Sequence, residues 1–356
     1  MNARREALLR EARHLGYDSL VACTPENLFY MTGFWGEAVG ILDGDGATIV
    51  VPELEAERAA AESQDCEIVK AGRGSGLIPA VTKALADRRP CTDCRDYPMM
   101  KGMQERMPNL EHQPLPFSNS RVTKDPGEVR ILQRASSIID GLFEICAEKM
   151  AVGQKESELQ AVLMSHAMEQ EMFDTGYIST LNPLIIAGGP NGALPHAQVT
   201  SRRFRKGDLV VVDITLRHKG YVSDATRTFA VGRVSQEAAD IYGIVRESQE
   251  SGLRAVSPGT SCHKIDEACR DLISSKGYGE FFVHSTGHGI GLEVHEQPTL
   301  SSSSRTVLEQ DMAITVEPGI YMPGLLGVRI EDSVMVGREP TVLHKFTKEL
   351  VMVSQS

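Results

Sequence analysis

Residues 3–15 place Ala7, Leu8 and Leu9 among basic side chains, the pattern of an amphipathic helix with a solvated arginine face. Short apolar runs follow at Ser19–Ala22, Val39–Leu42 and Ala47–Val51 and read as strands, the last two joined through Asp43-Gly44-Asp45-Gly46, a hairpin turn. With helical stretches around 53–63 and 75–87 they make a small α/β unit. Between 107 and 126 the pattern breaks into Pro108, Pro114, Pro116, Ser118, Asn119 and Ser120, a linker that ends in the helix start Lys124-Asp125-Pro126-Gly127. The boundary falls near residue 120, giving domains 1–120 and 121–356. Helical periodicity returns at Glu128–Met150 and Glu156–Gln170, interrupted by Val152-Gly153. Strand-like and loop-like segments fill 177–232, a helical block covers 235–276, and strands run from 280 to the end. Helices then sheet, followed by helix then sheet, predicts two similar halves.

A chain of 356 residues with 41% hydrophobic content can bury a core in each of two domains. Charged residues reach 24% and no apolar run approaches the roughly 18 residues of a membrane span, so neither disorder nor a membrane partner is expected. The balance of 37 basic against 48 acidic side chains, a net charge of −11, repels a phosphate backbone and argues against nucleic acid. The N-terminus lacks the apolar block of a secretory signal, and the seven scattered cysteines read as reduced thiols; a cytoplasmic protein is expected. Cys91-x-x-Cys94 reads as an incidental loop pair, with no second pair to complete a zinc site.

The chemistry is carried by acids on apolar strands. If Leu216 pairs with Tyr221 around Arg217-His218-Lys219-Gly220, Asp213 faces Asp224. Centring a second ribbon, Met312–Glu317 with Val328–Glu331, on Gly324 sets Glu317 opposite Glu331. Like charges directly opposed on neighbouring strands destabilise a sheet, so two such pairs on apolar strands call for a cation between them. The plainer alternative is four rim carboxylates, exposed or with raised pKa. Between the two ribbons lies His284-Ser285-Thr286-Gly287-His288-Gly289-Ile290-Gly291-Leu292-Glu293-Val294-His295-Glu296, where glycines around His288 permit close backbone approach and aim one imidazole. Four carboxylates and one imidazole exceed the needs of one zinc with an open position. They suit two ions sharing bridging carboxylates, with Mn²⁺, Co²⁺ or Zn²⁺ as occupants, which is hydrolytic chemistry.

These residues resemble the pita-bread metallopeptidases: prolidase, aminopeptidase P, methionine aminopeptidase and their metal-free relative creatinase. The likeness runs through Leu194-Pro195-His196, Val211-Val212-Asp213, Val222-Ser223-Asp224-Ala225-Thr226-Arg227-Thr228-Phe229, Thr286–Gly291, Thr315–Tyr321 and Val328–Asp332, with Leu28–Phe34 resembling the N-terminal domain of the creatinase and prolidase branch. The resemblance implies an α+β protein: a C-terminal pita-bread catalytic domain of duplicated αβ halves and a curved antiparallel sheet, behind a smaller N-terminal α/β creatinase-like domain. It implies two divalent metal ions per subunit, one held by Asp224, His288, Glu317 and Glu331 and the other by Asp213, Asp224 and Glu331. It also implies Glu317 as proton shuttle, His196 and His295 as hydrogen bonders to substrate, and His284 behind the ligands, orienting them or serving as a core histidine.

Within that family, the full ligand set argues against creatinase, and the extra N-terminal domain against methionine aminopeptidase. Cleavage before proline remains, with a small peptide carrying proline at the second position as substrate. An Xaa-Pro dipeptidase is expected first and an Xaa-Pro aminopeptidase second. Arg329 orients Asp213 or the peptide, or is a framework arginine. Trp35, the only tryptophan, either stacks on a proline ring or packs in the core, and a homodimer is the implied assembly. Many prolidases carry an arginine four residues after the position of His295; here it is Thr299, with Arg305 further on as a substitute. A non-enzymatic peptide-binding protein, or a metal hydrolase or lyase of a non-peptide substrate, are the competing classes.

Overall fold

A computed structural model describes residues 1–176 and 184–353, and the chain separates into two compact units, Met1–Arg121 and Val122–Ser356. The segment 177–183, where the strand and loop reading of 177–232 begins, lies outside the described residues.

In the N-terminal unit, β1 (Ser19–Ala22), β2 (Val39–Asp43), β3 (Gly46–Pro52), β4 (Cys66–Ala71), β5 (Pro90–Thr92) and β6 (Glu111–His112) form one sheet in the order β4-β3-β2-β1-β5-β6. Its pairings are parallel at both ends and antiparallel in the middle, where the Asp43 carboxylate accepts from the backbone N–H groups of Asp45 (2.8 Å) and Gly46 (3.2 Å) to close the hairpin. The helices are α1 (Asn2–His14), α2 (Pro25–Thr32), α3 (Ala56–Glu62), α4 (Ile78–Ala84), α5 (Tyr97–Arg106) and α6 (Leu115–Arg121). Strand residues Val21, Ile41 and Val50 pack with Ile78, Val81 and Met103 in the core.

Two sequence expectations change here. The proline-rich stretch 107–126 is not a plain linker: it contains β6 and α6, with Phe117 fully buried and the Ser120 carbonyl accepting from Tyr30 Oη at 2.7 Å. Proline is compatible with the first turn of a helix, where its missing N–H costs no bond, and Pro116 sits there. Cys91 is a buried residue of β5 rather than part of a loop.

The second unit opens with α7 (Pro126–Lys149), whose start is fixed by a capping box: the Asp125 carboxylate accepts from the backbone of Gly127 (2.7 Å) and Glu128 (2.9 Å), and Glu128 accepts from the Asp125 N–H (2.9 Å). Then come α8 (Glu156–Glu169), β7 (Met172–Asp174), β8 (Leu184–Gly188), β9 (Leu209–His218) and β10 (Tyr221–Val231). The helical block expected at 235–276 is two helices, α9 (Gln236–Ala255) and α10 (Cys262–Ser275), parted where Pro258 and the left-handed Gly259 (φ 88°) stop the first. Strands β11 (Gly287–Gly289), β12 (Glu296–Leu300), β13 (Ala313–Val316), β14 (Gly319–Met322), β15 (Leu326–Arg329), β16 (Asp332–Met335), β17 (Thr341–Val342) and β18 (Met352–Val353) complete the unit. The sheet orders are β18-β10-β9-β7 with β8 also on β9, β12-β11-β13-β16-β17, and the ribbon β14-β15; apart from the parallel β10–β18 pair they are antiparallel.

Each half has its own core. Ile139, Leu142 and Phe143 of α7 and Leu163 of α8 bury against Val210, Val212 and Ile214 of β9 and Ala225 and Phe229 of β10. Ile241 and Val245 of α9 and Ile265 and Cys269 of α10 bury against Ile314, Val316, Val328, Ile330 and Val334. Side chains alternate across a strand, so these choices commit Asp213, Thr215, Asp224 and Thr226, and likewise Thr315, Glu317, Arg329 and Glu331, to the faces turned away from the helices.

Candidate metal centre

The two helix-free faces meet through hydrogen bonds between β10 and the segment around β15 and β16. Glu331 N–H donates to the Thr226 carbonyl (3.0 Å), Ser333 Oγ to the Asp224 carbonyl (2.7 Å) and Thr228 Oγ1 to the Arg329 carbonyl (2.9 Å).

The first ribbon does not have the expected register. Tyr221 pairs with His218 across a two-residue turn in which Lys219 (φ 48°) and Gly220 (φ 88°) both take positive φ, so Asp213 faces Thr226 and Asp224 faces Thr215. Such a turn matches the right-handed twist of the strands, which the four-residue turn assumed from sequence does not exploit. The slip is two residues, an even number, so both aspartates remain on one face as diagonal neighbours rather than opposed. Thr215 Oγ1 donates to Asp224 Oδ1 at 2.8 Å and lies 3.4 Å from Asp213 Oδ1.

The second ribbon does centre on Gly324, but it comprises two ladders. Ladder β14–β15 closes at Gly319↔Arg329 and ladder β13–β16 begins at Val316↔Asp332, in the same register. Glu317 and Glu331 occupy matching positions at the break between them.

His288 sits on β11, antiparallel to both β12 and β13. Its flanking glycines are required by close packing: a Cβ on Gly287 would come 2.0 Å from the Thr315 carbonyl oxygen, and one on Gly289 2.1 Å from that of Gln297. His288 Nδ1 lies 3.0 Å from the Gly289 carbonyl oxygen, which can only accept, so Nδ1 carries the proton and Nε2 presents a lone pair. That lone pair faces oxygens: Asp224 Oδ2 at 3.8 Å and Glu317 Oε1 at 3.5 Å. Ligand atoms of Asp224, His288 and Glu331 all lie within 4.8 Å of one another.

The electrostatics demand a cation. Burial first, then Asp213 and Glu317, pushes the Asp224 carboxyl well above its usual range; burial first, then Asp224 and Glu317, does the same to Glu331. Burial raises Glu317 to about 7, with Arg329 opposing. Burial and then His295 lower His288 to about 3, leaving it neutral. Thr226 Oγ1 donates to Glu331 Oε2 at 2.7 Å, while buried Glu331 Oε1 has no hydrogen-bond partner among the described residues. An imidazole lone pair, an orphaned carboxylate oxygen and crowded anions are a donor set that a divalent cation satisfies and protons alone do not.

Arg329, fully buried, donates through Nη2 to Asp213, through Nε to Thr226 Oγ1 (3.0 Å) and through Nη1 to Tyr321 Oη (2.7 Å) and the Pro195 carbonyl (3.2 Å). It orders Asp213 and anchors the segment that precedes His196. His196 is exposed; loss of solvation first, and then the neighbouring His196, lower His295. The His295 ring lies edge-on to His288, with centroids 4.3 Å apart. Neighbouring Glu296 pins this loop: its carboxylate accepts from the N–H groups of Leu292 (2.9 Å) and Glu293 (3.2 Å) and from buried Lys124 Nζ (3.1 Å). His284 hydrogen-bonds Tyr321 Oη rather than a carboxylate of the cluster. Trp35 belongs to the N-terminal unit, where its half-buried ring lies 5.6 Å from that of Phe29. Thr299 pairs with His288 on exposed β12 positions, and Arg305 is exposed.

Sequence reasoning missed Thr215, Thr226 and Tyr321, the side chains that hold the acids and Arg329. Alternation was the available signal, since each shares a strand face with an acid or the arginine.

Two αβ halves that turn their helix-free faces together around acids and one imidazole define a metal-dependent hydrolase of the pita-bread fold. The chain belongs to Metallopeptidase family M24, which matches residues 130–338, and residues 4–120 match the Creatinase/Prolidase N-terminal domain. It is 35% identical to the Xaa-Pro dipeptidase of Pyrococcus furiosus over 94% of this chain and 95% of that one. Among solved structures it resembles the Xaa-Pro dipeptidase from Bacillus anthracis (TM-score 0.90, 33% identity, 98% of this chain and 99% of that one). It also resembles the X-Pro aminopeptidase from Thermotoga maritima (TM-score 0.88, 26% identity, 98% and 99%).

Proposed function

We propose that this protein is an Xaa-Pro dipeptidase, hydrolysing the peptide bond that precedes proline, with two divalent cations (Mn²⁺, Co²⁺ or Zn²⁺) at the centre. The observation that carries the metal assignment is the His288 Nε2 lone pair facing Asp224 and Glu317 beside the orphaned Glu331 Oε1. Asp224, His288, Glu317 and Glu331 would hold one cation, and Asp213 with Asp224 and Glu331 the other. The names of the relatives support the substrate class.

When bound, the cations supply Lewis acidity. The rest falls to the protein's own side chains. The Glu317 carboxylate would take a proton from the attacking water and deliver it to the leaving proline nitrogen. His295 and His196 would donate hydrogen bonds to the substrate carbonyl as it becomes tetrahedral, a reading supported by the edge contact of His295 with His288. Arg329 orients Asp213 through its Nη2 contact. We assign a homodimer and a cytosolic location, the latter supported by seven free cysteines; among the described residues no helix is long and apolar enough to cross a membrane.

A second reading, an Xaa-Pro aminopeptidase acting on longer peptides, is favoured by Thr299, which offers no charge to a dipeptide's free carboxylate. The test strips the protein of metal, reloads it with Mn²⁺, Co²⁺ or Zn²⁺, and follows Ala-Pro, Met-Pro and an Xaa-Pro-Xaa tripeptide. Dipeptide turnover with any of these ions is the expected result. Tripeptide turnover alone replaces the first reading by the second, and no turnover with any ion overturns both.

A further inference from the structure

The N-terminal unit carries a second arrangement of reactive groups, independent of the metal centre. Parallel strands β1 and β5 pair as Ser19↔Pro90, Leu20↔Cys91 and Val21↔Thr92. Carrying this register two residues further sets Cys23 beside Cys94. Neighbouring strands run about 4.8 Å apart, and a disulfide joins Cα atoms roughly 4.4–6.8 Å apart, so two residues continuing that register just past the ends of β1 and β5 would fall within bonding range.

The chain beyond both strands is held in place. The Asp93 carboxylate accepts from the backbone N–H groups of Cys23 (2.6 Å) and Thr24 (3.1 Å) and from Asn27 Nδ2 (2.7 Å). Thr92 Oγ1 lies 3.7 Å from Cys23 Sγ and accepts from the Cys94 N–H at 3.1 Å. Cys94 Sγ lies 3.6 Å from the Asp96 carbonyl oxygen, and the influence of each thiol on the other leads the causes that lower the Cys94 thiol and raise that of Cys23. Both cysteines line a cavity of about 460 Å³ shared with Thr24, Val39, Leu77 and Met99. Cys91, the sequence neighbour with the suggestive spacing, is fully buried in β5, its thiol 3.8 Å from the Ser19 carbonyl oxygen.

We propose that Cys23 and Cys94 are a redox-active dithiol that closes to a disulfide by exchange with a small organic disulfide entering this cavity. The Cys94 thiolate attacks one sulfur of the small disulfide; the S–S bond breaks, a mixed disulfide forms on Cys94 and one small thiolate leaves. Cys23 then loses its proton and attacks Cys94 Sγ, expelling the second small thiolate. The two protein sulfurs are oxidised by two electrons, the small disulfide is reduced to two thiols, and the protons given up by Cys23 and Cys94 end on them. Cys94, the thiol whose pKa is lowered, attacks, and half-buried Cys23 resolves.

The full-length protein is incubated with excess oxidised glutathione, its remaining thiols are alkylated without reduction, and the digest is mapped by mass spectrometry. A cross-linked Cys23–Cys94 peptide is expected as the principal disulfide, with the other five of the seven cysteines alkylated. Cys23→Ser is expected to retain glutathione on Cys94, released by dithiothreitol, and Cys91→Ser to leave the cross-link unchanged. Recovery of both Cys23 and Cys94 as alkylated thiols in the wild-type protein overturns the proposal, as does a principal disulfide joining any other pair. The map of the wild-type protein depends on neither variant folding, nor on metal or substrate.

Discussion

The Tyr321 hydroxyl donates to His284 Nε2 across 2.9 Å while accepting from Arg329 Nη1 at 2.7 Å. The donor sense follows from the other ring nitrogen, since His284 Nδ1 lies 2.7 Å from the Ser285 carbonyl oxygen and must carry the proton. Burial, then Arg329, lowers His284 to about 4, so it stays neutral and accepts. Tyr321 therefore joins the arginine that orients Asp213 to an imidazole outside the carboxylate cluster. Tyr321→Phe is expected to lower kcat about 10-fold with KM little changed, the magnitude typical of groups that orient metal ligands. Unchanged kcat in steady-state kinetics contradicts this role.

Removing the imidazole tests the centre directly. His288→Ala takes away the one nitrogen facing Asp224 and Glu317 and leaves carboxylates alone. Calorimetric titration of the metal-free variant with Mn²⁺ is expected to show affinity weakened by about 100-fold or more, beyond the 10–100-fold usual for groups one step removed from the metal. Wild-type affinity would show that the cation sits elsewhere.

The proton affinity of Glu317 has a definite sign. Its carboxyl, raised from 4.5 to about 7 by burial, binds a proton more tightly folded than unfolded. In metal-free protein the resulting stability is complete below the unfolded value and is lost as pH rises through the folded one. Glu317→Gln cannot ionise. Without metal, its melting temperature relative to wild type should therefore climb between about pH 5 and pH 8. A pH-independent difference in chelator-treated samples would refute the shift. With metal restored, the variant is expected to bind the cation and lose turnover.

Lys124 and Glu296 form a buried ion pair, with side chains 1% and 4% exposed. Lys124→Met removes one cation from this buried pair, for which the cost is up to about 3–5 kcal/mol. Because Glu296 fixes the loop that presents His295, chemical denaturation should register the loss together with a rise in KM. Lys124→Met with Glu296→Gln is expected to recover part of the stability.

Gly289→Ala puts a Cβ 2.1 Å from the Gln297 carbonyl oxygen, a backbone atom that cannot swing aside. The β11–β12 pairing must part to admit it, and His288 moves with β11. Loss of metal binding together with several kcal/mol of stability is expected, in the range of overpacked or strained core sites. A folded, metal-binding variant by circular dichroism and titration would show the strand more compliant than its packing implies.

Much of this was legible in the chain. The helix start Lys124-Asp125-Pro126-Gly127 announced α7, and the glycines around His288 announced a close approach that the backbone contacts at Gly287 and Gly289 explain. Turn geometry was less legible. A local choice between a two-residue and a four-residue connection at Lys219-Gly220 shifts register without altering which residues are apolar, so the pattern could not select it. The folding of 107–126 was hidden for a related reason: proline marks both loops and helix starts, and only the burial of Phe117 distinguishes them.

The sequence by itself determined which side chains could carry charge and on which strand face each would lie, because alternation along a strand is a local property of the backbone. It also supplied the family likeness. Tertiary structure alone decided that Asp213 and Asp224 stand diagonally rather than opposed, that Thr215, Thr226 and Tyr321 hold the acids and Arg329, and that Cys94 lines one cavity with Cys23 rather than with Cys91. Those facts depend on register and on pairing between distant segments, which are set by the summed packing of whole elements and leave no mark at any single position.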